Sequence, residues 1–126
     1  MIRVLVFGNI LVEEDSLPLR LIHKLREEFS NFEFVEFDPA ENLESEGPDL
    51  IIIDAVEGIE KVMVFTDVDS FQKTKRFSLH DFDLGMTLKL MQKLGKLNSV
   101  KIFGIPMNYD EQAAFVELKT FLLNEV

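Results

Sequence analysis

The run Leu50-Ile51-Ile52-Ile53 restricts the fold of this chain more than any other feature. Four consecutive apolar residues, bounded by Gly47-Pro48 on one side and Asp54 on the other, have no polar face to offer water. They read as a strand covered on both sides. Ile2-Arg3-Val4-Leu5-Val6-Phe7, stopped by Gly8-Asn9, reads the same way. Strands covered on both faces belong to a mainly parallel sheet, because the helical crossovers that join parallel strands lie above and below it.

The remaining segments supply those crossovers. Leu21, Ile22, Leu25 and Phe29 repeat at helical spacing, Ser16 offers a cap and Pro18 fits a first turn, so the pattern predicts a helix over 17–29. Residues 32–37 alternate apolar with acidic, as a strand nearer a sheet edge does. A strand over 61–66 follows the third after only a short link, too short for a parallel crossover, so it should run antiparallel to the third. Ser78-Leu79-His80-Asp81 has the form of a capping box and leads into Leu84, Leu88, Met91 and Leu94, with Gly95 as the stop. Residues 100–104 read as the last strand. Asn108 and Glu111 form a second capping pair, for a helix carrying Ala114, Leu118, Phe121 and Leu122. The expected architecture is one α/β domain spanning residues 1–126. It is a three-layer sandwich whose mainly parallel five-stranded sheet has one antiparallel strand and helices on both faces.

Charge and composition exclude several functions. A net charge of −10 opposes binding to nucleic acid or to anionic membranes, both of which need clustered Lys and Arg. No apolar stretch approaches the roughly 20 residues that span a bilayer, and the apolar N-terminal run is too short for a signal-peptide core, so no membrane insertion is expected. With no Cys, any metal must be held by His, carboxylates or backbone, and a reducing cytoplasm fits. Gly8-Asn9-Ile10-Leu11 has neither the glycines of a dinucleotide turn nor the Gly-Lys-Ser/Thr of a P-loop, and no Gly-x-Ser-x-Gly elbow occurs.

In parallel sheets, sites form at the carboxyl ends of strands, where Asn9, Asp38 and Asp54 fall. Asp54 puts a charge straight after four apolar residues, so it needs a partner or a cleft unless it simply turns the chain. Glu13-Glu14-Asp15 precedes a helix, where carboxylates also favour the positive end of the dipole by about 0.3–1 kcal/mol. His80 sits in the first turn of a capped helix, where that dipole helps keep the imidazole neutral and able to bind a metal. His23, in mid-helix, reads as a surface or boundary residue. A two-component receiver domain also places acids after its first and third strands. Here, however, Gly8-Asn9 separates the first strand from the acids, residues 55–60 are too few for the helix a receiver needs, and residues 102–107 contain no Lys.

Taken in order, Gly8-Asn9-Ile10-Leu11 with Glu14-Asp15, then Ile52-Ile53-Asp54-Ala55-Val56, Ser78-Leu79-His80 and Gly104-Ile105-Pro106 resemble the motifs of the hydrogenase maturation endopeptidases. That resemblance implies a peptidase that trims the C-terminal extension from the large-subunit precursor of a nickel–iron hydrogenase after nickel insertion. It assigns Asp15, Asp54 and His80 to metal engagement and cleavage, and Asn9 and Asp38 to the substrate. The family's paired glycines and Thr after that last acid are Pro39-Ala40-Glu41 here. The implied metal is nickel carried by the substrate, with zinc or cadmium as stand-ins in vitro. A non-enzymatic metal- or ligand-binding module of the same fold is the alternative.

Overall fold

The computed structural model describes residues 1–8, 16–37, 41–74 and 84–125. Its elements are β1 (Ile2–Val6), α1 (Leu17–Glu28), β2 (Phe32–Glu36), a 3-10 turn (Leu43–Glu46), β3 (Asp49–Val56), β4 (Met63–Phe65), α2 (Val68–Thr74), α3 (Leu84–Lys93), β5 (Ser99–Pro106) and α4 (Glu111–Leu123). One five-stranded sheet carries them in the order β2-β1-β3-β5-β4. All its pairings are parallel except that of β4 with β5.

Side-chain alternation along the strands divides the core into two layers. Val4, Val6, Ile53, Phe103 and Ile105 point to the face covered by α1 and α4, where Leu21, Leu25, Leu118 and Leu122 meet them. Leu5, Ile52, Val56, Val100 and Ile102 point to the face covered by α2 and α3, through Val68, Phe71, Leu84, Leu88 and Met91. β3 lies at the centre, and the all-apolar run that suggested a doubly covered strand is buried there, with Ile52 and Ile53 both at 0% exposure. The three-layer mixed sandwich expected from the sequence is the observed fold.

Four details differ. The antiparallel strand has the expected direction, but β5 lies between it and β3, because a short link fixes direction and not neighbour. Ser16 occupies the N-cap position of α1 without a cap bond; its hydroxyl accepts a hydrogen bond from Arg20 at 3.0 Å instead. The cap of α4 is Asp110, whose carboxylate accepts from Ala113 N at 2.8 Å, while Asn108 takes φ 55° in the preceding turn. Asn tolerates that left-handed conformation better than most residues, which suits it to the turn. Helix α2 has no counterpart in the sequence pattern. The capping box at Ser78-Leu79-His80-Asp81 lies outside the described residues, although the helix it was expected to start is present from Leu84, and the chain leaves it through Gly95 at φ 71°.

Candidate functional site

β2 lies on one side of β1 and β3 on the other, so successive connections depart in opposite directions across the sheet. At such a switch point the loops leaving the carboxyl ends diverge and open a crevice, the usual ligand position in sheets of this type. The register fixes what stands there. Val6 is level with both Glu36 and Ile53. Phe7 N donates to Ile53 O at 2.8 Å and Phe37 N to Val6 O at 3.0 Å, holding the ends of β1 and β2 against the middle of β3. Asp54 is therefore one step past the last β1–β3 pair, and Asn9 and Asp38 follow two residues and one residue after Phe7 and Phe37.

Asp54 is 4% exposed, one of two buried polar or charged residues among those described. β3 continues two residues beyond it to Val56, so Asp54 is part of the strand and does not turn the chain. By alternation it shares the face of Leu50, Ile52 and Val56, the face that α3 covers. Opposite it in register is Gly104. A Cβ at Gly104 would come within 2.9 Å of both Phe65 Cε2 and Val56 Cγ2, so only glycine lets those side chains close beside the acid. The sequence marked Gly104 only as part of a motif, and its steric reason appears in the packing.

Asp49, at the opposite end of the same strand, has a different task. Its carboxylate accepts hydrogen bonds from Ser99 Oγ at 2.7 Å and Asn98 Nδ2 at 2.8 Å, tying β3 to the start of β5. The Ser99 bond first, and the Asn98 bond second, hold its pKa below the ordinary aspartate value. Both bonds favour the charged form, so their contribution to stability is complete above the unfolded-state pKa and is lost as pH falls through the lowered native value. Asp49→Asn should accordingly be less stable than wild type at neutral pH, and the difference should disappear once pH is below the native Asp49 pKa. Urea midpoints at the two pH values measure this. A constant difference would contradict it.

Of the five residues singled out from sequence, the structure describes Asp54. Asn9, Asp15, Asp38 and His80 lie outside the described residues. Among the described residues no group of three or more His, Cys, Asp and Glu is placed to hold a metal ion. The elements flanking the other candidates are clear. Described structure resumes after Asp15 at Ser16, which is 3% exposed, and after His80 at Leu84, which is 1% exposed and packs over the Asp54 face. His23 is a surface residue as expected, its side chain 86% exposed and 3.3 Å from Glu27 on the next turn of α1.

A sequence model of the HycI hydrogenase maturation proteases matches residues 40–120, a stretch that includes Asp54, His80 and Gly104. No curated protein matches the chain by sequence. Among solved structures, the hydrogenase maturating endopeptidase HybD from Escherichia coli superimposes with a TM-score of 0.68 at 16% identity, covering 99% of this chain and 94% of that one. The NiFe hydrogenase maturation protease HybD from Thermococcus kodakarensis gives 0.64 at 20% identity, covering 99% and 98%. The endopeptidase HycI from Escherichia coli gives 0.66 at 18%, covering 98% and 90%. At these identities the likeness is one of fold, and the whole of the fold is shared.

Proposed function

The chain belongs to the hydrogenase maturation protease family, and within that family we propose that it removes the C-terminal extension from the large-subunit precursor of a nickel–iron hydrogenase once nickel has been inserted. The observation that carries this reading is Asp54: a carboxylate buried in the central strand, beside the switch point of the sheet and under the helix that follows His80. Taking a carboxylate out of water is costly, and a fold keeps one at such a position when the charge has work to do.

Asp15, Asp54 and His80 would supply two carboxylate oxygens and an imidazole nitrogen. That set leaves coordination positions open on a divalent ion, which suits a site reading nickel already held by the substrate better than a site owning a metal. Nickel is then part of the substrate, while Asn9 and Asp38, which follow β1 and β2 in the chain, contact the tail. Zinc or cadmium should occupy the site weakly in vitro. The absence of Cys fits work in the reducing cytoplasm. Among the described residues no helix is long and apolar enough to cross a membrane. The alternative of a binding module without cleavage loses its ground with membership in a peptidase family.

The chain's two histidines test the assignment. His80→Ala should abolish metal binding and precursor shortening with the far-ultraviolet circular dichroism retained. His23→Ala, altering a side chain that faces solvent, should leave both close to wild type. Metal titration and the mass of the large subunit report the outcome; wild-type processing by His80→Ala, or its loss in His23→Ala alone, would move the site elsewhere.

A further inference from the structure

The register sets three residues in one row across the carboxyl end of the parallel strands. Asp54 of β3 is level with Gly104 of β5, and Gly104 is level with Met63 of β4. Residues level with one another project to the same face of a sheet, and Phe65, two positions along β4 from Met63, packs in the layer of Val56 and Ile102. Met63 therefore stands on the face of Asp54, two strands away, at about 10 Å. Gly104 puts no side chain between them.

What fills the gap is apolar. Val56 and Phe65 are buried over Gly104, and Ile59, from the link between β3 and β4, joins them: a Cβ at Gly104 would lie 3.4 Å from Ile59 Cδ1. Ile59 is only partly buried and Met63 is 38% exposed, so the side chains that this row still presents to solvent beside the acid are apolar. The link that carries them is fixed from the other face of the sheet. The Glu117 carboxylate of α4 accepts from Val62 N at 3.0 Å and from the Tyr109 hydroxyl at 2.6 Å. Val62 is buried in the α1 and α4 layer and directly precedes Met63, so this anchor sets where Ile59 and Met63 stand relative to Asp54.

We propose that Ile59 and Met63 form an apolar subsite that receives a precursor side chain within two residues of the scissile bond. This subsite rests on the function proposed above and adds to it the class of side chain accepted beside the cut. A lone exposed methionine is ordinary, and its place in the row of Asp54 is what gives Met63 the role. An extended peptide advances about 3.3 Å per residue, so a bond held at Asp54 brings its near neighbours within reach of Met63. Methionine adapts its shape to varied apolar partners, whereas a charged side chain set against it would lose water and gain no partner.

The test compares kcat/KM for the nickel-loaded precursor and for precursors in which each of the two residues on either side of the scissile bond is replaced in turn by Glu. The enzymes are wild type, Met63→Leu, Met63→Lys and, as control, Val116→Lys at an exposed position on α4, with circular dichroism to verify folding. Wild type should cleave one of the Glu precursors at least about tenfold less efficiently than the unaltered one, and Met63→Leu and Val116→Lys should follow it. Met63→Lys should reverse that preference, losing about tenfold on the unaltered precursor and regaining it on the same Glu precursor, a gain that damaged packing does not produce. Indifference of wild type to every Glu replacement, unchanged selectivity in Met63→Lys, or its uniform loss on all precursors overturns the subsite, while cleavage by wild type leaves the function standing. Failure of wild type to cleave the unaltered precursor overturns both.

Discussion

Asp54→Asn is expected to process nickel-loaded precursor at least about a hundredfold more slowly than wild type, within the 10²–10⁴ range that charged or proton-transferring groups usually contribute. The substitution keeps the shape of the side chain and one carbonyl oxygen, so β3 and the Gly104 cradle opposite it should persist. Far-ultraviolet circular dichroism and the melting temperature verify that the variant is folded. Asp49→Asn, on the same strand, is the matched control: its carboxylate bonds Ser99 and Asn98 at the amino end of β3 and should be dispensable for cleavage. Equal activity in Asp54→Asn and wild type would remove Asp54 from the site. Equal loss in both variants would mean that the strand, and not the charge, had been damaged.

The second large effect is on stability. Phe71 is fully buried and packs edge-on against Phe65, with ring centroids 5.6 Å apart. It is also the main anchor of α2, a helix of seven residues that is too short to hold itself together in water. Phe71→Ala should therefore cost about 3–5 kcal/mol, the usual loss for a buried Phe with its cavity. That is a large part of the roughly 5–15 kcal/mol available to a domain. Urea unfolding should show a lowered midpoint, and a change under about 1 kcal/mol would mean that α2 is dispensable to the core. By contrast, Asp69→Asn, which removes the exposed pair that Asp69 of α2 makes with Lys89 of α3, should change stability little.

Phe71 also illustrates what the sequence conceals. Val68 and Phe71 are the buried positions of α2 among the described side chains, and two apolar residues three apart carry no detectable helical period. The helix exists because β4 and α3 offer those two side chains a place, which is tertiary information. The same limit applies to β4: the six residues after Val56 dictate its direction, but its pairing with β5 depends on where the chain returns 34 residues beyond Phe65. Asn108 and Asp110 are both cap-forming types, and only the left-handed turn at Asn108 decides between them. What was legible was what local chemistry determines. Doubly covered strands announced the parallel sheet, and the alternation of 32–37 placed β2 at the edge, where it is found. A charge directly after Leu50-Ile51-Ile52-Ile53 singles out Asp54 from sequence, and its burial agrees. The register then adds what spacing alone could not, by bringing the ends of β1 and β2 level with Ile53, so that the chain leaves β1 and β2 beside Asp54 within β3.

The most direct measurement of the central claim is the mass of the large subunit after incubation of the purified wild-type protein with two otherwise identical precursors, one loaded with nickel and one free of it. A site that reads nickel through Asp15, Asp54 and His80 predicts loss of the C-terminal extension from the loaded precursor and none from the nickel-free form over the same time. Equal shortening of the two, or persistence of the loaded precursor at full length, would contradict it.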